Sequence, residues 1–214
     1  MRPSMKHGQI IILNGAPRSG KSSIAQVIQE TFEGPWINLG VDAYVRHITP
    51  PRYQPGIGLR PGGERPDLEP LIPLFYAALY ESIAAHSRLG LSVVTDIGHH
   101  DSYTKPLDIL TDCARRLNGL PVLFVGVRCS IKVIMQRRNA GQSGREGHYE
   151  TATASAPIPP AVLRWQEAVH HPGLYDLEVD TSDKSTEDCV TAIALRLQQA
   201  PVHPTAFEEL AAGH

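Results

Sequence analysis

A short glycine-rich segment near the start of the chain carries the clearest chemical pattern in the sequence. Residues 15 to 22 match G-x-x-x-x-G-K-[ST], in which the glycines let successive backbone N–H groups point at an anion. Lys21 is predicted to reach the β- and γ-phosphates of a nucleotide, and the Ser22 hydroxyl to complete the coordination of Mg²⁺. The residues predicted to bind the nucleotide here are Gly15, Ala16, Pro17, Arg18, Ser19, Gly20, Lys21, Ser22 and Ser23. The pattern predicts that the chain binds ATP with Mg²⁺.

Two aspartates follow predicted strands and are candidates for the same site. Asp96 lies near the end of the apolar run LSVVTDI, where it could hold Mg²⁺ directly or through water, or simply cap the next segment. Asp42 follows a shorter strand pattern, one element after the glycine-rich loop. A carboxylate at this position could take the proton from an acceptor hydroxyl during phosphoryl transfer. The alternative for Asp42 is a helix N-cap, which spacing alone does not exclude.

Several arginines follow the strongest predicted strand and are candidates to neutralise phosphate charge. Arg128 ends that strand, Arg137 and Arg138 lie in the helix pattern after it, and Arg145 lies between glycines. Arginines on a mobile segment can close over a triphosphate, and plain surface charge is the alternative for each. The histidines show no metal-ligand spacing, although His99 follows Asp96 closely enough to be a candidate lining residue.

Strand and helix patterns alternate along the whole chain. Strands are predicted at 10–13, 36–39, 91–97, 121–127 and 175–181, each followed by residues with helical spacing. This order predicts an α/β protein with the three-layer P-loop NTPase fold: a central, mostly parallel sheet, helices on both faces and a small mobile lid.

The domain organisation is predicted to be simple. Residues 1–200 are expected to form one P-loop domain, and residues 201–214 a C-terminal tail that frays. A proline- and glycine-rich excursion at 49–73 is expected on the acceptor side, and 137–160 is expected to be lid-like.

Composition excludes several classes of protein. The 214 residues carry a formal net charge of −2, which gives no electrostatic footprint for nucleic acid. No apolar run approaches the roughly 20 residues that cross a bilayer, so a cytoplasmic protein without a membrane partner is expected. The three cysteines show neither metal spacing nor a disulfide framework. The sequence is compatible with a homo-oligomer.

Four segments in order make the chain resemble the chloramphenicol phosphotransferase family, small P-loop kinases related in fold to adenylate and shikimate kinases. The segments are IIILNGAPRSGKSS at 10–23, PWINLGVDAYV at 35–45, VLFVGVRCS at 122–130 and YDLEVDTSDKS at 175–185. The resemblance implies transfer of the γ-phosphoryl group of ATP to a hydroxyl, which is the primary hydroxyl of chloramphenicol for the family's namesake.

The resemblance also implies roles for particular residues. Asp42 would be the base that activates the hydroxyl, and Lys21 and Ser22 would keep their usual P-loop roles. Arg137 would clamp the nucleotide as a catalytic residue, and Arg145 matches the lid arginine if one residue is inserted.

The sequence departs from the family's pattern in three places. A basic position usual near Gly141 is missing, and Ile97 stands where a second acidic residue is common. The proline-rich excursion at 49–73 differs from the corresponding segment of a well-known family member. Other functions therefore stay open. A kinase of another metabolite (a nucleoside, a shikimate-like acid or a nucleotide sugar) would suit a basic pocket built from Arg46, Arg52, Arg60 and Arg65. A nucleotide-binding regulatory protein without transfer activity is the third possibility.

Overall fold

A parallel sheet lies at the centre of the molecule, as predicted. The computed structural model describes residues 6–63, 65–140, 152 and 157–213. Within these ranges the strands are β1 (Ile10–Asn14), β2 (Trp36–Asn38), β3 (Ser92–Ile97), β4 (Val122–Arg128) and β5 (Leu177–Asp180). They form one sheet in the order β2-β3-β1-β4-β5, and every neighbouring pair is parallel. The carboxyl ends of all these strands therefore meet at one edge, where ligands bind in open α/β sheets.

Helices cover both faces of the sheet, which confirms the three-layer architecture. The α-helices in the described ranges are α1 (Lys21–Thr31), α2 (Val41–Ala43), α3 (Ile72–Arg88), α4 (Ile109–Arg116), α5 (Ile131–Asn139), α6 (Pro160–Ala168), α7 (Thr186–Gln198) and α8 (Ala206–Ala212). Successive side chains of a strand point to opposite faces. Ile10 and Ile12 accordingly pack with α3, α4 and α8, whereas Ile11 and Leu13 pack with α1 and α7. No helix in the described part of the chain is long and apolar enough to cross a bilayer.

The sequence predicts that the end of the chain frays, but the structure shows a helix there. Residues 206–212 form α8, whose first turn has a capping box between Thr205 and Glu208. The Phe207 ring packs against Phe124 of β4 with 5.0 Å between ring centroids. The S/T-x-x-E spacing ahead of an apolar residue was a readable helix-start signal in the sequence. The prediction was wrong because burial of Phe207 stabilises a helix too short to persist alone.

The proline-rich excursion is ordered at the carboxyl edge of the sheet. A π-helical turn at Tyr44–Ile48 leads into it, and short 3₁₀ turns follow at Pro51–Tyr53, Gly56–Gly58 and Pro66–Leu71. Hydrogen bonds to the body of the domain anchor it. The Tyr76 hydroxyl donates to the Ile57 carbonyl at 3.2 Å. The buried Glu69 carboxylate accepts from the backbone N–H and the hydroxyl of Thr104. The excursion is therefore a fixed wall beside the site.

The predicted lid falls mostly outside the described residues. Of the segment 137–160, the structure shows only the end of α5, an isolated residue and the start of α6. Arg145 also lies outside the described residues. The lid and the domain limits at 1–200 and 201–214 therefore stay predictions.

Candidate active site

The glycine-rich loop forms the turn between β1 and α1 that its sequence predicts. Gly20 sits at the N-cap of α1 with φ 97°, and Arg18 has φ 71°, a left-handed conformation that is uncommon for a residue with a side chain. The Lys21 ammonium donates to the carbonyls of Gly15 at 2.7 Å and Ala16 at 2.9 Å. The loop thus curls around its own lysine, with the N-terminal end of α1 beneath it, which is the arrangement that favours a bound phosphate.

Burial and two nearby carboxylates set the charge of Lys21. Burial lowers the pKa of Lys21 to about 8, and the carboxylates of Asp96 and Asp42 oppose that shift. Both carboxylates act electrostatically on the Lys21 ammonium. The structure therefore brings Lys21, Asp42 and Asp96 close together, although they are far apart in the sequence.

Ser22 and Asp96 meet directly. The Ser22 hydroxyl donates to Asp96 Oδ2 at 2.6 Å, and Asp96 is buried at the end of β3. Hydroxyl and carboxylate oxygens are the ligands that Mg²⁺ prefers, with phosphate and water supplying the remaining positions. The described residues hold no group of three or more His, Cys, Asp and Glu side chains that could bind a metal by themselves. The pair therefore fits a Mg²⁺ site completed by a nucleotide.

Asp42 lies in the first turn of α2 and lines the same cavity. The N-cap position of α2 is occupied by Gly40, so the structure does not place Asp42 as the cap. The cavity has a volume of about 590 Å³ and is bounded by the phosphate loop, α2, the 49–73 excursion and α6. Lys21 and Ser22 line it together with Asp42. A nucleotide phosphate and an acceptor hydroxyl could therefore meet in one cavity.

Gly40 is required at its position because of Asp96. A Cβ on Gly40 would overlap Asp96 Oδ1, although the backbone there is ordinary and extended. Sequence reasoning missed this contact, since the two residues belong to different elements.

We expect Gly40→Ala to disturb the Ser22–Asp96 pair. The added methyl must rotate the buried carboxylate or displace α2, so the Mg²⁺ concentration for half-maximal nucleotide binding should rise about tenfold or more. Overpacking should also cost about 1–3 kcal/mol of unfolding free energy. Gly34→Ala is a matched control. The φ of 83° at Gly34 strains an alanine, so this variant should also lose stability, but no atom lies within 4 Å of its added methyl group and the Mg²⁺ requirement should not change. An unchanged Mg²⁺ requirement in Gly40→Ala would show that Asp96 is not held as described.

The arginines occupy different positions from one another. Arg137 donates to the carbonyls of Thr181 at 2.8 Å and Arg18 at 3.1 Å, so it braces the loop from outside the cavity. Arg138 is buried and lines the cavity. Arg128 pairs with Glu178 through two hydrogen bonds of 3.0 and 2.9 Å and does not line the cavity. The clamping role of Arg137 stays a prediction.

Two further residues near the site were not identified from the sequence. Asn14, at the end of β1, donates to the Val169 carbonyl at 2.7 Å and accepts from the His99 N–H at 2.8 Å. It thereby ties α6 to the segment after β3. Trp165 of α6 lines the cavity, which only the return of α6 over the sheet edge reveals. A signal for Asn14 was available in the sequence, because it is a polar residue at the end of an apolar strand, directly before Gly15. For Trp165, the helical spacing of α6 indicated only core packing.

His99 is buried behind the site and does not line the cavity. Its ring stacks on Tyr76 with 4.8 Å between centroids, and its Nε2 lies 2.7 Å from the Tyr80 hydroxyl. Burial lowers the pKa of His99 to about 3, and burial raises the pKa of the Tyr80 hydroxyl, so the hydroxyl donates to a neutral imidazole.

This histidine should make stability fall in acid. Its folded pKa lies below its unfolded value of 6.5, so its contribution is complete above pH 6.5 and is lost as the pH falls toward about 3. Between pH 7.5 and pH 5 the loss should be about 2 kcal/mol. Urea unfolding of wild type and His99→Phe at both values should show a smaller pH effect in the variant. The exposed His47→Gln is the control, and an equal pH effect in His99→Phe would refute the assignment.

Comparisons with known proteins agree with the fold. The profile of the chloramphenicol phosphotransferase-like proteins matches residues 8–198. Two Mycobacterium tuberculosis proteins, from strains CDC 1551 and H37Rv and provisionally named O-phosphotransferases, are each 26% identical to the chain over 220 residues, covering 96% of it and 89% of the relative.

Solved P-loop kinases share the fold at low sequence identity. The Mycobacterium tuberculosis APS kinase CysC in complex with AMPPNP and APS superposes with a TM-score of 0.54 and 16% identity, covering 90% of this chain and 99% of that one. A shikimate kinase from Acinetobacter baumannii in complex with shikimate gives a TM-score of 0.54 and 11% identity, covering 91% and 95%. Because the family profile spans nearly the whole α/β domain, the chain belongs to the chloramphenicol phosphotransferase-like family.

Proposed function

We propose that the chain transfers the γ-phosphoryl group of ATP to a hydroxyl of a small-molecule acceptor. The observation that carries the proposal is that one cavity is lined by both the phosphate loop and the Asp42 carboxylate. A site that only bound nucleotide would have no need of a carboxylate on the acceptor side. This position of Asp42 favours a transferase over a regulatory nucleotide-binding protein.

The proposed reaction assigns a distinct task to each residue. The loop amides and Lys21 hold the β- and γ-phosphates, and Ser22 with Asp96 would hold Mg²⁺, which neutralises phosphate charge when bound. Asp42 takes the proton of the acceptor hydroxyl as its oxygen forms a bond to the γ-phosphorus. The bond between that phosphorus and the β–γ bridging oxygen breaks, and ADP leaves with the electron pair. The products are ADP and a phosphate monoester.

The proposal names ATP as the phosphoryl donor but only a chemical class, alcohols, as the acceptor. Family membership favours an alcohol like chloramphenicol, and the APS and shikimate kinases that share the fold suggest other hydroxyl compounds. The distinctive wall made by residues 49–73 supports an acceptor particular to this chain.

The test is product formation with a defined acceptor set. Purified protein, Mg-ATP and chloramphenicol, followed by a panel of sugar, nucleoside and hydroxy-acid alcohols, would be examined by mass spectrometry for a gain of one phosphoryl group. We expect a product with wild type and at least about 100-fold less product in the same time with Asp42→Asn, while both proteins bind ATP. Binding of Mg-ATP without transfer to any acceptor would contradict the proposal.

A further inference from the structure

A buried threonine at the end of β5 contacts the phosphate loop from behind. Thr181 directly follows β5, and its backbone N–H donates to the Arg128 carbonyl at 3.0 Å, so it extends the pairing of β5 with β4. Its side chain is buried. The Thr181 hydroxyl donates to the Ser19 carbonyl of the loop at 2.7 Å. A side chain therefore joins the end of β5 directly to the phosphate loop.

Arg137 fixes the direction in which this hydroxyl donates. Its guanidinium donates to Thr181 Oγ1 at 3.1 Å and to the Thr181 carbonyl at 2.8 Å. Because a guanidinium has only donors, the hydroxyl must accept from it and keeps its own proton to donate. The Ser19 carbonyl, at 2.7 Å from the hydroxyl oxygen, is a better acceptor for that proton than the Arg128 carbonyl at 3.4 Å. The bond from Thr181 to the loop therefore has a defined direction.

The hydroxyl also sets the orientation of the peptide group between Ser19 and Gly20. A trans peptide is planar, so its C=O and N–H point in opposite directions. Since the Ser19 carbonyl points at Thr181, the Gly20 N–H points to the other side of the loop. Gly20 is the N-cap of α1, and the first N–H groups of a helix have no acceptor within the helix. Such an N–H group is a donor suited to a phosphate oxygen.

The Thr181 side chain also packs against this peptide group. A Cβ on Gly20 would lie 3.4 Å from Thr181 Cγ2 and 3.6 Å from Thr181 Oγ1. The loop backbone therefore rests on the threonine side chain. Thr181 does not line the cavity, so its effect on a bound phosphate must pass through the Ser19–Gly20 peptide.

We propose that Thr181 is a positioning residue for the nucleotide phosphates. Its hydroxyl, oriented by Arg137, holds the Ser19–Gly20 peptide so that the Gly20 N–H is directed at the phosphate site. The proposal rests on the proposed use of ATP, but it concerns binding and needs no acceptor. It gives Arg137 a task on the loop besides any contact with the nucleotide. A peptide that is held in place before the nucleotide arrives lowers the entropy cost of binding.

Two substitutions that differ by one oxygen atom test this role. Thr181→Ala removes the hydroxyl and the methyl group, whereas Thr181→Ser removes the methyl group and keeps the hydroxyl. Binding of Mg-AMPPNP, Mg-ADP and inorganic tripolyphosphate to the full-length protein is measured by calorimetry. Tripolyphosphate has no base or sugar, so it separates an effect on the phosphate site from an effect on the nucleoside part of the ligand.

We expect Thr181→Ala to bind Mg-AMPPNP, Mg-ADP and tripolyphosphate about 5- to 20-fold more weakly than wild type. The buried Ser19 carbonyl loses its donor in this variant, and the Gly20 N–H loses its fixed direction. Thr181→Ser should restore the affinities to within about threefold of wild type, because it keeps the hydrogen bond.

Ser87→Ala is the matched control for the loss of a buried hydroxyl. The Ser87 hydroxyl donates to the Gly8 carbonyl at 2.7 Å, beside the amino end of β1 and away from the loop. This variant should lower the midpoint of urea unfolding about as much as Thr181→Ala does, and it should leave all three affinities unchanged.

Equal weakening in Thr181→Ala and Thr181→Ser would overturn the proposal, because the methyl group and not the hydroxyl would then matter. Unchanged affinities in both variants would overturn it too. So would a loss confined to the nucleotides, with tripolyphosphate bound equally by wild type and Thr181→Ala or by neither.

Two further outcomes also count against the positioning role. If Ser87→Ala weakened binding as much as Thr181→Ala, a general loss of stability would account for both results. Wild-type protein that bound neither Mg-AMPPNP nor Mg-ADP would refute the use of ATP, and the role of Thr181 with it. Normal nucleotide binding by wild type with no effect of Thr181→Ala would refute only the role of Thr181.

Discussion

Asp42→Asn is expected to lower the turnover number for phosphotransfer by about 10²- to 10⁴-fold, the usual contribution of a positioned general base. Asparagine has nearly the same shape as aspartate but cannot accept the proton of the acceptor hydroxyl. The affinity for Mg-ATP should change little, because the loop and Lys21 bind the phosphates without Asp42. Steady-state kinetics with the acceptor found by product analysis, together with ATP titration, would measure both quantities.

A surface aspartate provides the control for this variant. Asp112 pairs with Arg116 one helical turn away on α4, and neither residue lines the cavity. Asp112→Asn should retain wild-type turnover and lose at most about 0.5 kcal/mol of stability. If Asp42→Asn retained turnover within a factor of a few, another group would have to accept the proton, and the role of Asp42 would be wrong.

Lys21→Met is expected to lower kcat/KM by about 10²- to 10³-fold, the range found when one donor to developing transition-state charge is removed. Methionine has a side chain of similar length but lacks the ammonium that would stay in contact with the γ-phosphoryl group during its transfer. It also removes the hydrogen bonds to the carbonyls of Gly15 and Ala16, so ATP affinity should weaken as well. The exposed Lys132 of α5 gives a matched control, and Lys132→Met should behave as wild type.

The lowered pKa of Lys21 adds a prediction about pH. Burial brings this pKa to about 8, so in the nucleotide-free protein the ammonium loses its proton as the pH rises through that value. ATP affinity should therefore fall between about pH 7 and pH 9 in wild type, whereas Lys21→Met should show no such fall. A wild-type affinity that stays constant to pH 10 would mean that the ammonium is more solvated than the structure indicates.

Several features of the fold and the site could be predicted from local residue spacing. The loop at 15–22 follows from two glycines, a lysine and a serine on one short segment, and its place between β1 and α1 follows from the apolar run before it and the helical spacing after it. Asp42 and Asp96 could be placed at the same edge because parallel strands end on the same side of a sheet. These predictions depend on neighbouring residues or on one general rule of topology.

Contacts between residues far apart in the sequence could not be predicted in this way. The exclusion of a Cβ at Gly40 by Asp96, the different positions of Arg137 and Arg138, and the part played by Trp165 all depend on how separate elements pack. So does the presence of Arg46 and Arg60 in the lining of one cavity. Residue spacing specifies the face of an element, but the distance between two faces is fixed by the packing of the whole core, to which every buried side chain contributes.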